Sequence, residues 1–326
     1  MRKTKRILSL GELPTQQLYY LCDMTRNQAF ALLHLCVFCW GFTAIFGKLI
    51  SFDSVSLVWW RLLIVVISLF VFMLFARKKI LLSPKLFWRI AGVGAIVGIH
   101  WLCFFGGIKV SNISITMISF STGTFFTSLI EPIVYKRKIN PNEVIIGILI
   151  ILIISIIGLN EYENSHNPLG GIVLGSLAAL TAALFSTFNG KLIQQSNAFT
   201  ISFVELIFAL ILVSFGLFLF FEVPENLLSP SGLDLSYLLL LGIACTAFPF
   251  IASVEVMKNL SPFSVNLAVN LEIVYAILFS YFIFGENEQM TPTFYLCGSM
   301  IGVLIVFNEV LKRKRKKKFA KENSMD

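Results

Sequence analysis

The sequence predicts an all-α integral membrane protein, with ten transmembrane helices arranged as two inverted repeats of five helices each. Three observations predict this class: an apolar composition, ten long apolar segments and an internal duplication. The chain is 57% hydrophobic and only 13% charged, whereas a soluble domain carries about 25% charged residues. Ten crossings of about 20 residues each leave no room for a large soluble domain.

Each of the ten apolar segments is long enough to cross a bilayer. Helices surrounded by lipid are apolar on every side, so their periodicity says little and the polar exceptions are more informative. The segments cover residues 30–50, 56–75, 87–110, 113–135, 143–159, 170–193, 199–221, 235–257, 263–284 and 293–311.

The second half of the chain repeats features of the first. In a gapless alignment Pro292 falls on Pro141 and Gly298 on Gly147, with apolar runs on apolar runs. The run Gly47-Lys48-Leu49-Ile50 recurs as Gly190-Lys191-Leu192-Ile193, and upstream Phe42-Thr43 matches Phe185-Ser186. Five crossings per copy force the second copy to enter the membrane upside down. Transporters use such inverted repeats to build two exchangeable faces around one site.

Orientation follows from the positive charges. All Lys and Arg except Lys48, Arg61 and Lys109 fall on one side of a ten-helix arrangement, and the positive-inside rule makes that side cytoplasmic. The net charge of +8 therefore reflects topology, and no nucleic-acid partner is expected. The run Lys312–Lys318 either binds anionic lipid headgroups or only orients the last helix.

These boundaries predict five regions: a cytoplasmic N-terminal segment (1–29), the first repeat (30–159), an external linker (160–168), the second repeat (169–311) and a basic cytoplasmic tail (312–326). The short loops fit a bacterial inner membrane best. Pairs such as Gly94/Gly98 and Gly171/Gly175 allow close helix packing within a monomer or at a homodimer interface.

Several motifs resemble the EamA family of the drug/metabolite transporter superfamily. The first segment carries Cys39-Trp40-Gly41-Phe42 followed by Gly47-Lys48, and the ninth ends in Phe284-Gly285-Glu286 ahead of Pro292 and Gly298. One departure is Ile273, which follows Glu272 where the family commonly has proline. The resemblance implies a solute carrier that works by alternating access, with a central cavity lined by both repeats, including the fourth and ninth helices.

The fourth segment carries a polar face. Ser121, Thr124, Thr127, Ser128 and Glu131 recur at helical spacing and stack on one side. Such hydroxyls are poorly placed against lipid, so we expect them to line a wet cavity. The alternative is packing, because Ser and Thr hydrogen-bond neighbouring membrane helices.

The ninth segment is polar on two faces, with Asn266 and Asn270 on one and Glu272 and Tyr275 on another. Glu272 lies about 14 Å inside the membrane. A charge at such a depth costs about 2.5–3.5 kcal/mol on insertion scales. Glu272 is therefore either a structural partner or a site for a proton or substrate, and we favour the second.

Other polar residues are open to two interpretations. Arg61 follows Trp59-Trp60, and we favour snorkelling past that aromatic belt or a structural ion pair over binding of an anionic or carboxylate-bearing solute. His100 beside Trp101 is either a packing residue or a substrate contact. We expect structural roles for Glu205 and for the pair Glu255 and Lys258.

The predicted function is transport of small polar metabolites, amino acids or drugs, most simply as an exporter, with or without proton coupling. A nucleotide-sugar or sugar-phosphate exchanger is the runner-up, although it calls for several buried cations. A membrane-embedded transferase would need catalytic groups in large loops, and the nearest set, Glu161, Glu163 and His166, is thin. A channel would show a ring of like charges.

No cofactor is expected, because the sequence has no Gly-rich Lys motif for a nucleotide. The C-x-x-C at Cys36 and Cys39 lies inside a predicted membrane helix and fits small apolar packing better than a metal or redox site.

Overall fold

The computed structural model describes residues 24–77, 79–161, 167–221 and 223–284, together with separate positions between 296 and 311. Over this part of the chain the regular structure is helical throughout. The N-terminal segment before residue 24, the turn at 162–166, the end of the second repeat around Pro292 and the run Lys312–Lys318 lie outside the described residues.

Eleven helices are defined in the described chain. Their bounds are α1 Arg26–Leu49, α2 Ser54–Phe75, α3 Pro84–Val110, α4 Ile113–Phe120, α5 Gly123–Tyr135, α6 Pro141–Glu161, α7 Pro168–Leu192, α8 Ala198–Phe220, α9 Gly232–Gly242, α10 Phe248–Val256 and α11 Pro262–Phe284. The first nine predicted segments therefore fall on helices, with ends within a few residues of the prediction. Seven helical spans in the described residues are long and apolar enough to cross a membrane.

Short polar residues set where the helices begin. The side chains of Asp53, Ser83, Asn112 and Asn197 each accept a backbone N–H from the first turn of the helix that follows. These caps satisfy N–H groups that have no partner within the helix, which matters most where little water is available.

The predicted fourth segment is interrupted in the structure. Helix α4 ends at Phe120 and α5 begins at Gly123, so Ser121 and Thr122 form a turn between them. The Ser121 hydroxyl donates to the Ile118 carbonyl at 2.6 Å and the Thr122 hydroxyl donates to the Ser119 carbonyl at 2.7 Å. These side chains compete for backbone acceptors and favour the local break.

The predicted eighth segment contains a π-helical turn, Ile243–Ala247, between α9 and α10. Pro249 lacks an N–H and its ring crowds the preceding turn, which disfavours continuous α-helix there. The Thr246 hydroxyl donates to the Leu241 carbonyl at 2.6 Å, across the widened turn. The π turn thus brings Thr246 to the inside of the bundle, where it is fully buried.

The two halves of the chain pack against each other. Helix α3 of the first half contacts α7 and α8 of the second, and α1 contacts α10 and α11. Glycine permits the closest approach: a Cβ built on Gly94 would lie 2.3 Å from the Glu205 carbonyl oxygen. Gly98 meets Ala209, and Gly171 and Gly175 meet the α3–α4 turn and α4, so these glycines pack within one chain.

Side-chain contacts define two ends of the bundle. At the first, called the basic end, Met24, Leu82, Leu192, Ala198 and Leu260 share one hydrophobic cluster. At the second, called the acidic end, Ser51 donates its N–H and hydroxyl to Asp234 at 2.8 and 2.6 Å, and Lys109 Nζ donates to the Ile50 carbonyl at 2.8 Å.

Candidate functional site

A buried cavity lies among α1, α2, α3, α4, α7, α10 and α11. It contains about 680 Å³ of space not filled by protein atoms, part of it open to the surroundings. Its aromatic walls are Trp40, Trp101, Phe104, Phe120, Phe185 and Phe250, and its polar groups are Thr43, Arg61, His100, Ser186, Ser253, Asn266 and Glu272.

Arg61 is held rigidly at the wall of this cavity. Its Nε donates to the Thr246 hydroxyl at 2.7 Å, and its guanidinium carbon lies 4.2 Å from the centre of the Trp101 ring. The residue is 2% exposed and its Nη1 has no hydrogen-bond partner. Snorkelling to the surface and a structural ion pair, the interpretation favoured from sequence, are therefore wrong for this structure. The π turn and α3 hold the side chain inside the bundle.

Glu272 lies on the same cavity and is 6% exposed. Arg61 is the charged group that acts on it electrostatically, yet the two make no ion pair within 4.0 Å among the described contacts. Within the described residues the cavity therefore holds one guanidinium group and one carboxyl group that are not joined by an ion pair. Burying a charged group without an ion-pair or hydrogen-bond partner costs free energy, unless a bound ligand supplies that partner.

Further polar groups face the same space. The Thr43 hydroxyl is buried without a partner. The Ser186 hydroxyl accepts a hydrogen bond from Asn266 Nδ2 at 2.6 Å. His100 Nδ1 lies 2.8 Å from the Ala178 carbonyl oxygen and donates to it, which fixes the ring on α7. These groups add a polar lining to the aromatic walls.

A smaller adjoining cavity collects the polar residues of the fourth segment. Ser121 and Thr124 line it together with Asn266 and Asn270. Asn270 Nδ2 donates to the Thr124 hydroxyl at 2.7 Å, so the polar faces of α5 and α11 meet as a hydrogen-bonded interface. The two cavities share Phe120, Asn266 and Val269 as walls.

Glu131 does not line a cavity, although the sequence predicted that the whole polar face of the fourth segment would. Its Oε2 accepts the backbone N–H of Phe263 at 2.8 Å, at the beginning of α11, and its Oε1 accepts from Arg137 at 3.2 Å. Arg137 also donates to Glu143 at 2.7 Å. Partial burial lowers the pKa of Arg137, but its bonds and proximity to both carboxylates outweigh this and raise it. Glu131 is thus a structural link between α5 and α11.

Three more residues expected at the site line neither cavity: Thr127, Ser128 and Tyr275. Ser128 donates to the Phe125 carbonyl at 2.7 Å and is fully buried. Tyr275 packs against Gly41 and stacks on Phe279. Arg61, His100, Trp101, Asn266 and Glu272 do meet at the large cavity. Glu255 and Lys258 form the ion pair expected from sequence.

One sequence feature could have identified two cavity residues that the sequence analysis did not predict. Thr43 and Ser186 occupy matching places in the duplicated motifs Phe42-Thr43 and Phe185-Ser186, and both line the cavity. Thr246 carried no comparable signal, because only the π turn brings it to Arg61.

The family model that matches this chain is described as the EamA-like transporter family. It matches twice, over residues 28–159 and 169–308. The two matches cover nearly all of both halves and agree with the duplication read from the sequence.

One solved crystal structure has the same fold, with a TM-score of 0.70 at 13% identity. The match covers 89% of this chain and 99% of that one. A comparison with curated proteins finds no match.

Proposed function

The chain belongs to the EamA-like transporter family, and we propose that it exports amino acids or similar small zwitterionic metabolites by alternating access. One observation supports this substrate class. Arg61 and Glu272 line the same aromatic-walled cavity without forming an ion pair among the described contacts, and Arg61 Nη1 has no hydrogen-bond partner. A solute with both a carboxylate and an ammonium group would pair with Arg61 and Glu272 at the same time.

Each wall of the cavity has a part in this binding. The free edge of the Arg61 guanidinium would take the carboxylate, since Arg presents N–H donors in a planar fork. Glu272 would take the ammonium group, and the Thr43 hydroxyl supplies a further polar contact. The aromatic rings would pack on the apolar part of the solute and exclude water.

The cavity extends toward the basic end, and we include loading from that end in the proposal. Hydrogen bonds join Ser51 to Asp234 and Lys109 to Ile50 at the acidic end. The cavity walls extend in the other direction to Met257 and Val265, which belong to the hydrophobic cluster of the basic end. A carrier that loads from the cytoplasm and releases outside would rest in this form.

The wider architecture belongs to the same proposal. Ten helices in two inverted repeats, 30–159 and 169–311, would place both termini in the cytoplasm of a bacterial inner membrane. Exchange of the two repeat conformations would then open the acidic end. The nucleotide-sugar alternative is less well supported, because Arg61 is the one cation on the cavity within the described residues.

The test is solute exchange in proteoliposomes, with amino acids compared with analogues that lack either charged group. For the parent we expect exchange of the zwitterion and poor exchange of both analogues. Glu272→Gln should lower the preference for the amino acid over its deaminated analogue about tenfold or more, because a charge-assisted hydrogen bond is worth about 1.5–3 kcal/mol.

The matched control is Glu255→Gln, which alters an exposed carboxylate at the end of α10 and should leave the preference unchanged. Equal exchange of all three solutes by the parent would overturn the zwitterion proposal. Exchange of none, over a wide panel, would overturn the transport proposal itself.

A further inference from the structure

Glu205 on α8 is the most deeply buried carboxyl group among the described residues, and it does not line the cavity. It is 0% exposed, and the side chains near it, Asn189 of α7 and Ser202 of α8, are 1% and 0% exposed. Asn189 Nδ2 donates to Glu205 Oε2 at 3.1 Å. The other oxygen of each group, Glu205 Oε1 and Asn189 Oδ1, is buried without a hydrogen-bond partner.

A single hydrogen-bond donor placed between these two unpartnered oxygens is missing. An ionised carboxylate and an amide oxygen are both acceptors only, and leaving buried acceptors unsatisfied costs about 1–3 kcal/mol each. A protonated carboxyl group removes the deficit. Its O–H can donate to the amide oxygen while the amide N–H donates to the other acid oxygen, which gives a cyclic acid–amide pair.

In the described part of the chain, no cation takes the place of that proton. The charged and titratable side chains on the helices packed around α8 are Arg61 of α2, Lys85, Arg89, His100, Cys103 and Lys109 of α3, Lys191 of α7 and Glu255 of α10. Among the described contacts, none of these is hydrogen-bonded or ion-paired to Glu205. Arg61 lies on Trp101, Lys191 donates to the Val134 carbonyl and Glu255 pairs with Lys258.

The position of Glu205 has a counterpart in the first half of the chain. Glu205 is the eighth residue after the N-cap Asn197 of α8, and Arg61 is the eighth residue after the N-cap Asp53 of α2. A glycine lies against each place: Gly94 against the backbone of Glu205, and Gly242 against the Ile64 side chain, with the Arg61 carbonyl oxygen 3.6 Å from a Cβ built on Gly242. Each glycine is the eleventh residue after its own N-cap serine, Ser83 or Ser231.

We propose that Glu205 and Asn189 form a proton-binding site that makes transport depend on the pH of the side toward which the acidic end opens. This role rests on the proposed function. The α9–α2 interface of this structure corresponds to the α3–α8 interface, and at the α9–α2 interface the residue eight positions after the N-cap, Arg61, faces the cavity. If the two halves exchange conformations, the α3–α8 interface takes that form and Glu205 faces the cavity instead. Glu205, sealed in this state, then meets water.

Each cycle releases one proton and takes one up on the same side of the membrane, and no other bond is made or broken. In the sealed state Glu205 Oε1 carries the proton. When the site opens, the O–H bond breaks, the proton passes to water, and the carboxylate is hydrated. Return to the sealed state takes a proton from the water on that side, because an unpaired carboxylate cannot be buried cheaply.

The proton is observable by infrared spectroscopy of the full-length protein in lipid at neutral pH. The difference spectrum of the parent and Glu205→Gln should contain the carbonyl band of a protonated carboxylic acid. Asn189→Leu should keep this band but move it to higher frequency, since the acid loses its hydrogen bonds to the amide. Absence of the acid band from the difference spectrum overturns the proposal.

Solute flux tests this pH dependence. Because return to the sealed state requires the proton, raising the pH only on the side toward which the acidic end opens should slow exchange by the parent and by the control Glu255→Gln. Glu205→Gln should retain exchange and lose this pH dependence. A Glu205→Gln variant that still responds to pH on that side overturns the role of Glu205 as the proton-binding group. Failure of the proposed function would look different: the acid band would be present, but the parent would exchange no solute.

Discussion

At the scale of single residues, Arg61 shows how one side chain acquires a binding role. Thr246 and Trp101 fix the guanidinium, while Nη1 remains without a partner. A buried cation with part of its hydrogen-bonding capacity free is expensive to keep. Its retention is explained if an anionic group of the solute completes it during transport.

We expect Arg61→Lys to weaken binding of carboxylate-bearing solutes about 10- to 100-fold, because a single ammonium group cannot satisfy Thr246 and present a planar fork to the solute. Binding of an amine analogue without the carboxylate should change much less. The measurement is the concentration dependence of exchange in proteoliposomes.

Arg89→Lys is the matched control, since Arg89 is an exposed cation near the beginning of α3, and it should behave as the parent does. Equal losses for the acid-bearing and acid-free solutes in Arg61→Lys would show that Arg61 supports the fold and does not recognise the carboxylate.

At the scale of helices, close packing depends on glycines at the helix crossings, because glycine has no side chain to hold the backbones apart. Helix α3 crosses α8 at Gly94 and Gly98, and α7 crosses the α3–α4 turn and α4 at Gly171 and Gly175. Lipid supplies little hydrophobic driving force between helices, so close contact through small residues contributes more of the packing energy than it does in water.

Gly94→Ala should destabilise the protein by about 1–3 kcal/mol, as overpacking does elsewhere, because the added Cβ would lie 2.3 Å from the Glu205 carbonyl oxygen. Gly92→Ala, two residues earlier, meets nothing within 4 Å and should be neutral or stabilising by up to about 1 kcal/mol. Thermal unfolding of both purified variants in one detergent provides the comparison.

Similar unfolding temperatures for these two variants would contradict the packing of α3 on α8. Loss of the Glu205 acid band in Gly94→Ala alone would connect this close approach to the proton site.

At the scale of the whole molecule, the two ends of the bundle differ in charge and in the kind of contact that joins their helices. Leu82, Leu192 and Leu260 share one cluster at the basic end, where the sequence concentrates Lys and Arg. Asp234 is hydrogen-bonded at the opposite end. The membrane fixes which end faces the cytoplasm, and the basic residues favour the end on which they lie.

Single cysteines on either side of α8 test this orientation in a cysteine-free background. Gln195 and Glu225 are exposed positions that flank the helix. In intact cells a membrane-impermeant maleimide should label Glu225→Cys, and it should label Gln195→Cys only after permeabilisation. The reverse pattern would invert the proposed topology, and labelling of both in intact cells would mean that α8 does not cross.

The sequence alone predicted the helical membrane architecture, the duplication and nearly all helix bounds in the described chain. Those features depend on local quantities: the length of apolar runs, N-cap residues such as Asp53 and Asn197, and repeated motifs. It also identified Arg61, His100, Trp101, Asn266 and Glu272 as candidates, because polar groups in apolar helices are conspicuous.

Only the tertiary structure decided what those residues do with one another. Glu131 was expected on a cavity and instead binds the first turn of α11, and Arg61 turns inward because a π turn in a distant helix supplies Thr246. Such contacts join residues far apart in the chain, and their energies depend on distance and burial. Neither quantity can be read from spacing along a single helix.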